Sequence, residues 1–384
     1  MKKSKGLIYT HTLTSNLIGG ITAPFLPLFY YEIAGKSFLL LSLANTAPSI
    51  LAVFLSYFWA RLSDAYGKRK PFVILSSLTG LTTTLLISYA STLDQLLLIR
   101  IAGAFTGSAG GAAFSALLAK TFKEKRGRAI GLYSALSLAG SALGNMLSAY
   151  AYEALGMRTL LRLQVLASLL PFTMILLIPE EPEERRKITL KSLLVKPKIT
   201  NGLLKLFALK MLLVMPSTLA GGLIAVYYIN YLGGSEQLWA LLATITTLLG
   251  LSVIPYGYLV DKVGAEKMLI FAGIGWFILY LGYYYSTDPL IFAAFFVIPV
   301  WPAFQLSYSK LLMDLSDKGE RATLYATENM MSQFYAVLLG LLGGYLADAA
   351  HPKILFLIGA AAAGMGAIYA YQAIFRKHRG GLVA

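Results

Sequence analysis

Residues 60–70 read Ala60-Arg61-Leu62-Ser63-Asp64-Ala65-Tyr66-Gly67-Lys68-Arg69-Lys70 and lie between two long apolar runs. Residues 257–267 read Gly257-Tyr258-Leu259-Val260-Asp261-Lys262-Val263-Gly264-Ala265-Glu266-Lys267 and lie between two more. Each stretch sets an Asp three residues before a Gly and basic residues close behind it. Asp64 and Asp261 are 197 residues apart, as are Gly67 and Gly264, and a second pair, Arg128-Ala129 and Arg321-Ala322, recurs after 193 residues. Two separate features repeating at nearly one offset mark an internal duplication.

The composition around these stretches sets the environment. With 57% hydrophobic and 13% charged residues over 384 positions, the chain has too little polar surface to cover a soluble globule. A bilayer crossing takes about 20 mostly apolar residues, and the alternation of apolar runs with short polar breaks gives roughly twelve crossings. In hydrocarbon each backbone group must bond within its own segment or a closed barrel. Gly- and Pro-interrupted runs of this length are not barrel strands, so the crossings are helices. The spacing predicts helices over 7–31, 37–60, 71–90, 96–120, 126–152 and 160–178, and in the second half over 203–231, 238–260, a ninth ending at 285, 290–312, 321–347 and 353–375. Residues 1–178 and 201–384 then form two six-helix bundles. The segment 179–200, opening Pro179-Glu180-Glu181-Pro182 and turning basic, is a linker suited to the membrane surface. The run 7–31 is too long for a secretory signal core and ends in no small-residue cleavage site, so it reads as a retained first helix.

The net charge of +15 is not spread evenly. Lys and Arg crowd into the loops on one side, the two repeated stretches included, whereas the other side offers only Lys36, Arg158, Arg162 and Lys353. By the positive-inside rule both termini and both repeated loops are cytoplasmic, and the basic charge faces the bilayer surface, not nucleic acid. Cysteine is absent, which excludes disulfides and thiolate metal sites. No phosphate-binding glycine loop, metal-ligand cluster or nucleophile–base pair stands in a loop large enough for an enzyme domain, so no catalytic residue and no metal site is expected. No re-entrant filter sequence is present, which argues against a selective channel.

The repeated pattern, Gly-x-Leu-x-Asp-(Arg/Lys)-x-Gly-(Arg/Lys), resembles the signature loop of the major facilitator superfamily of secondary transporters, where it joins helices 2 and 3 and recurs between helices 8 and 9. The first copy departs from it at Ala60 and Ala65. The resemblance spans essentially the whole chain. It implies an all-helical membrane protein of twelve transmembrane helices in two pseudo-symmetric bundles, with a midplane substrate site and alternating access by rocking. Such a chain is expected to act as a monomer on a small-molecule substrate, without a cofactor and with the proton gradient as energy source. The same resemblance places helices 1, 2, 4, 5, 7, 8, 10 and 11 around the cavity and helices 3, 6, 9 and 12 against lipid.

The resemblance also assigns roles to the loops. Asp64, with Gly67 and Arg69, would face the start of helix 11 at Arg321, and by pseudo-symmetry Asp261, with Gly264, would face the start of helix 5 near Arg128. A carboxylate at a helix N-terminus gains on the order of 0.3–1 kcal/mol, so both contacts would act as conformational latches. Alternatively each Asp caps its own turn while the cations anchor to headgroups. Gly131, Gly140 and Gly144 resemble the helix 5 glycine motif of drug:proton antiporters, with Asn145 where that motif has Pro. Close helix packing, also open to Gly340-x-x-x-Gly344, accounts for them equally well.

Ionisable groups within a membrane are costly unless they face a cavity or a partner. Arg100, Lys210 and Glu328 are three such groups, all on helices that the resemblance puts at the cavity. Arg100 lies roughly 6 Å inside its helix end and either takes part in proton-coupled exchange, as the resemblance suggests, or snorkels outward. Lys210 and His11, near one membrane face, read as interfacial. Glu328 lies roughly 10 Å deep, too far for a short carboxylate to reach water. It reads as a proton carrier or cation-binding carboxylate, or else as the partner of a neighbouring Lys or Arg such as Lys210. Asn16 and Gln305 are neutral groups able to contact substrate. The composite is a secondary transporter, with proton-coupled efflux of a small, partly apolar solute ahead of nutrient import or facilitated diffusion, and of a non-transporting scaffold or sensor.

Overall fold

The computed structural model describes residues 2–122, 126–180, 200–315 and 321–377. Among these residues all regular structure is helical. In chain order the crossings are α1 (Lys2–Thr22, carried on by Leu26–Ile33), α2 (Phe38–Tyr66), α3 (Lys70–Tyr89) and α4 (Leu93–Gly107, then Gly110–Thr121). The continuous stretch Arg126–Leu177 holds α5 and α6, parted at Gly156, where φ 68° and ψ 160° turn the chain. The second half supplies α7 (Asn201–Ala220, then Ile224–Val226 and a π turn over Tyr227–Tyr231) and α8 (Glu236–Leu248, a 3-10 stretch Leu249–Ser252, then Val253–Val263). It ends with α9 (Ala265–Tyr285), α10 (Pro289–Phe296 and Trp301–Asp314), α11 (Arg321–Ala349) and α12 (Ile354–Lys377).

Ten helical stretches among the described residues are long and apolar enough to cross a membrane, one of them the 50-residue span Arg128–Leu177. At about 20 residues per crossing that span accounts for two, and α1, richer in Ser, Thr and His, completes twelve. Breaks fall where the backbone is weakest. Pro27 lies in the first turn of Leu26–Ile33, Gly107 and Gly110 flank the interruption of α4, and the freed groups are satisfied by neighbouring turns. The start of α4 lies three residues ahead of the expected one because the Thr92 side chain accepts from Gln95 N while Gln95 Oε1 accepts from Ser91 N at 2.9 Å.

Packing divides the chain into two compact units, Met1–Lys36 with Leu43–Leu193 and Ser235–Leu248, and Ser37–Ser42 with Leu194–Gly234 and Leu249–Ala384. The first turn of α2 and the first part of α8 thus pack with residues drawn mainly from the other half of the sequence. Inside the first unit α1 runs along α5, where small residues let backbones touch. A Cβ on Gly140 would stand 2.5 Å from Leu13 O, and one on Gly20 would stand 2.7 Å from Ser141 O. Gly103 and Gly110 of α4 instead make room for side chains of α3, a Cβ on Gly103 falling 2.5 Å from Thr83 Oγ1, and Ser76 Oγ donates to Gly107 O at 2.6 Å. Inside the second unit α9 packs on α12, and α7 on α11 and α12. Gly344 brings α11 onto the first turn of α2, with Phe38 O 2.6 Å from where its Cβ would stand. There the Asp348 carboxylate accepts from Ser37 Oγ, Phe38 N and Leu39 N at 2.6, 2.7 and 2.9 Å, capping α2 from another helix.

The repeated loops owe their glycines to backbone conformation. Gly67 and Gly264 have φ 72° and 99°, a region costly to residues with a Cβ. After Gly67, α3 opens without a cap from its own N-cap side chain. Glu180 provides it, one carboxylate oxygen accepting from Arg69 N at 2.6 Å and the other from Lys70 N at 2.8 Å. A carboxylate on two N-terminal amides is worth about 1 kcal/mol. Glu180→Ala is expected to lower stability by that amount, read as a fall in the thermal midpoint of the detergent-solubilised protein, while Glu180→Asp retains part of it.

Candidate functional site

Three helices of the second unit meet around one carboxylate. Lys210 lies nine residues beyond Asn201 on α7 and Glu328 seven beyond Arg321 on α11, depths of about 13 and 10 Å at the helical rise. Tyr308 lies six residues before the end of α10 at Asp314, about 9 Å deep by the same rise. Counted from these helix ends, all three lie at a similar depth. Lys210 Nζ forms an ion pair with Glu328 Oε1 and donates to Ser332 Oγ at 2.8 Å. Ser332 Oγ donates to Glu328 Oε1 at 2.8 Å, and Tyr308 OH donates to the same oxygen at 3.2 Å. The ammonium also lies 5.0 Å from the Tyr308 ring centroid, within cation–π range. Glu328 is 8% exposed. Phe304 stacks on Tyr308 at 5.6 Å and meets Trp276 at 5.1 Å, so an aromatic wall continues from the cluster.

Chemically, this is one carboxylate with exclusive options. A proton on Glu328 removes the counter-charge of Lys210, and an external cation on Glu328 must displace Lys210. Lys210, expected to reach the membrane face, turns inward instead: α7 begins at Asn201 under a Thr200 cap, which places Lys210 too deep to snorkel without losing its partner. Ser332, four residues after Glu328, shares its helical face; Tyr308 carried no comparable sign in the sequence beyond its place on α10. Gln305 is exposed on α10 and outside this cluster.

In the first unit Arg100 is held by α1 and α2. Its guanidinium lies 4.6 Å over the Tyr30 ring, and Nη1 donates to Asn45 Oδ1 at 3.2 Å. Asn16 donates to Thr12 O at 2.8 Å and accepts from Ser141 Oγ at 3.3 Å, so it ties α1 to α5. Gly144 lies in the same seam, where a Cβ would collide with Leu17 O and stand 2.8 Å from Gly20 Cα. Gly131 does not share this packing: a Cβ there meets nothing within 4 Å among the described residues, because the helix end it occupies is exposed. Asn145, buried, donates to Ala243 O at 3.2 Å and Thr247 Oγ1 at 3.0 Å on α8.

A sequence model of the Major Facilitator Superfamily matches residues 10–219 and 206–381. The chain belongs to the Major Facilitator Superfamily. Among its relatives are the multi-drug resistance efflux pump PmrA of Streptococcus pneumoniae serotype 4, 28% identical over 70% of each chain, and the multidrug resistance protein MdtG of Proteus mirabilis, 27% identical over 67% of each. The fold is also that of the nucleoside transporter NupG, with TM-score 0.79, 12% identity and coverage of 97% of this chain and 99% of that one. A bacterial homologue of the iron transporter ferroportin in an inward-facing state gives TM-score 0.79 at 13% identity, covering 97% and 98%.

As a Major Facilitator Superfamily member the protein is a multi-pass membrane transporter and not an enzyme. Its two signature loops differ in their contacts. Asp261 pairs with Lys310 of α10 at 2.9 Å, an exposed contact, and such pairs contribute at most about 1 kcal/mol. In the first loop Arg69 Nη1 donates to Ser63 Oγ at 2.9 Å. Arg128 is exposed at the start of α5. The side chains of Asp64 and Arg321, and linker residues 181–199, lie outside the described residues.

Proposed function

We propose that this transporter exports small, partly apolar organic cations in exchange for protons. The observation that carries the reading is the buried Lys210–Glu328 pair with Tyr308 and Ser332 on one carboxylate oxygen. A group of this kind binds either a proton or a cation, and coupling requires such exclusivity. The neighbouring rings of Tyr308, Phe304 and Trp276 suit an apolar cation. The names of PmrA, a multi-drug resistance efflux pump, and MdtG, a multidrug resistance protein, point the same way. The concentration of Lys and Arg on the signature-loop side supports cytoplasmic termini. The proton gradient serves as the energy source, no cofactor is needed, and the monomer is the working unit.

The test uses purified protein in liposomes with ethidium as the transported cation. An imposed pH gradient is expected to drive ethidium against its own gradient, and an uncoupler to stop it. Equilibration of ethidium at one rate, with or without the pH gradient, would favour facilitated diffusion instead.

A further inference from the structure

A recess of about 220 Å³ opens in the first unit between α1, α3 and α6, separate from the carboxylate cluster. The helices that form it carry exposed apolar side chains elsewhere on their surfaces, Leu86 of α3 and Leu166 of α6 being 52% and 64% exposed. On membrane-spanning helices such faces meet lipid. The lining is of another character: His11, Ser15, Ser77, Thr84, Gln164 and Ser168 contribute polar atoms, and no charged side chain takes part.

These polar groups have capacity to spare. Ser77 bonds back to Val73 O at 2.8 Å, the usual arrangement for Ser in a membrane helix. The hydroxyls of Ser15, Thr84 and Ser168 have no hydrogen-bond partner among the described residues. Gln164 Oε1 accepts from Thr22 Oγ1 at 2.8 Å, which leaves its amide nitrogen to the recess. His11 Nδ1 lies 3.0 Å from Pro171 O. A carbonyl only accepts, so Nδ1 carries the hydrogen and the neutral ring offers Nε2 as an acceptor. Hydroxyls in hydrocarbon without partners cost about 1–3 kcal/mol each.

Depth narrows the occupant. Ser77 and Thr84 are seven and 14 residues beyond the start of α3 at Lys70, about 10 and 21 Å along the helix, within a hydrocarbon core about 30 Å thick. A phosphate at that depth needs a cation, and the lining has none; a neutral alcohol does not. The volume suits a glycerol-sized head and is too small for acyl chains, which would lie outside the recess.

We propose that this recess binds the head of a neutral membrane lipid bearing a free hydroxyl, of the diacylglycerol type. The test is the thermal midpoint of the purified protein in detergent with added dioctanoylglycerol. Wild type is expected to gain about 2 °C or more at saturation. Trioctanoylglycerol, which lacks the hydroxyl, and dioctanoyl phosphatidic acid, which is charged, should give no gain. Gly80 lines the recess and a Cβ there meets nothing within 4 Å among the described residues, so Gly80→Leu directs added bulk into the space from a position where the first carbon is tolerated. It should abolish the gain, and Thr84→Val, which keeps shape and removes one hydroxyl, should reduce it. No gain in wild type, an equal gain with the triester or the phosphatidic acid, or a gain that survives both substitutions would overturn the proposal. An equal gain with glycerol alone would also overturn it, by assigning the site to a soluble polyol.

Discussion

Glu328→Gln is expected to abolish pH-driven transport and to cost about 3 kcal/mol of stability. The substitution keeps the shape and the acceptor oxygen for Tyr308 and Ser332, but leaves Lys210 as a buried charge without a counter-charge. Removing one member of a buried pair is costly because the other cannot regain water. Lys210→Met should destabilise for the mirror reason. The double variant, with neither charge, should regain most of the loss, so that a double-mutant cycle should show coupling of about 3–5 kcal/mol. Transport separates a functional pair from a merely structural one. The double variant is expected to be stable and still unable to couple to protons; if stability and coupled transport recover together, the pair only holds helices in place.

The second large effect lies in the seam between α1 and α5. Gly144→Ala is expected to cost about 1–3 kcal/mol or to prevent folding. The added carbon would strike Leu17 O and stand 2.8 Å from Gly20 Cα, and both are backbone atoms that cannot rotate away. Gly131→Ala on the same helix is the control. A Cβ there meets nothing within 4 Å among the described residues, and replacing a helical glycine by alanine should gain up to about 1 kcal/mol. Thermal midpoints of the two variants should therefore move in opposite directions. Falls of equal size would mean that helix 5 packs through its whole length, as a uniform packing role for Gly131, Gly140 and Gly144 requires.

Much of this architecture is legible in the chain because hydrocarbon leaves a helix few alternatives. The repeated Asp–Gly loops and the apolar runs between them locate the crossings, and Gly67 and Gly264 occupy backbone conformations that explain why the loops repeat a glycine. Contacts over long sequence separations are less legible. Lys210 and Glu328 each stand out as costly charges, but whether they meet depends on where α7 starts, and a Thr200 cap at its end decides that. Glu180 looks like one more acid in a polar linker, yet it caps α3 because Arg69 and Lys70 bring their amides to it. Asn145 reads as a departure from a glycine motif, and only the packing of α8 beside α5 gives it acceptors. Gly131 fits the same motif by spacing, but a motif does not report what stands opposite a residue.

In the proposed exchange a proton and a cationic substrate compete for Glu328. The direct measurement is the dissociation constant of tetraphenylphosphonium for the purified protein as a function of pH, in wild type and Glu328→Gln. Competition predicts that on the acid side wild-type affinity falls about tenfold for each pH unit, since each proton bound excludes one cation, and that the Gln variant binds weakly with no pH dependence. The same acid-side slope in both proteins would contradict the account and place the proton on another group.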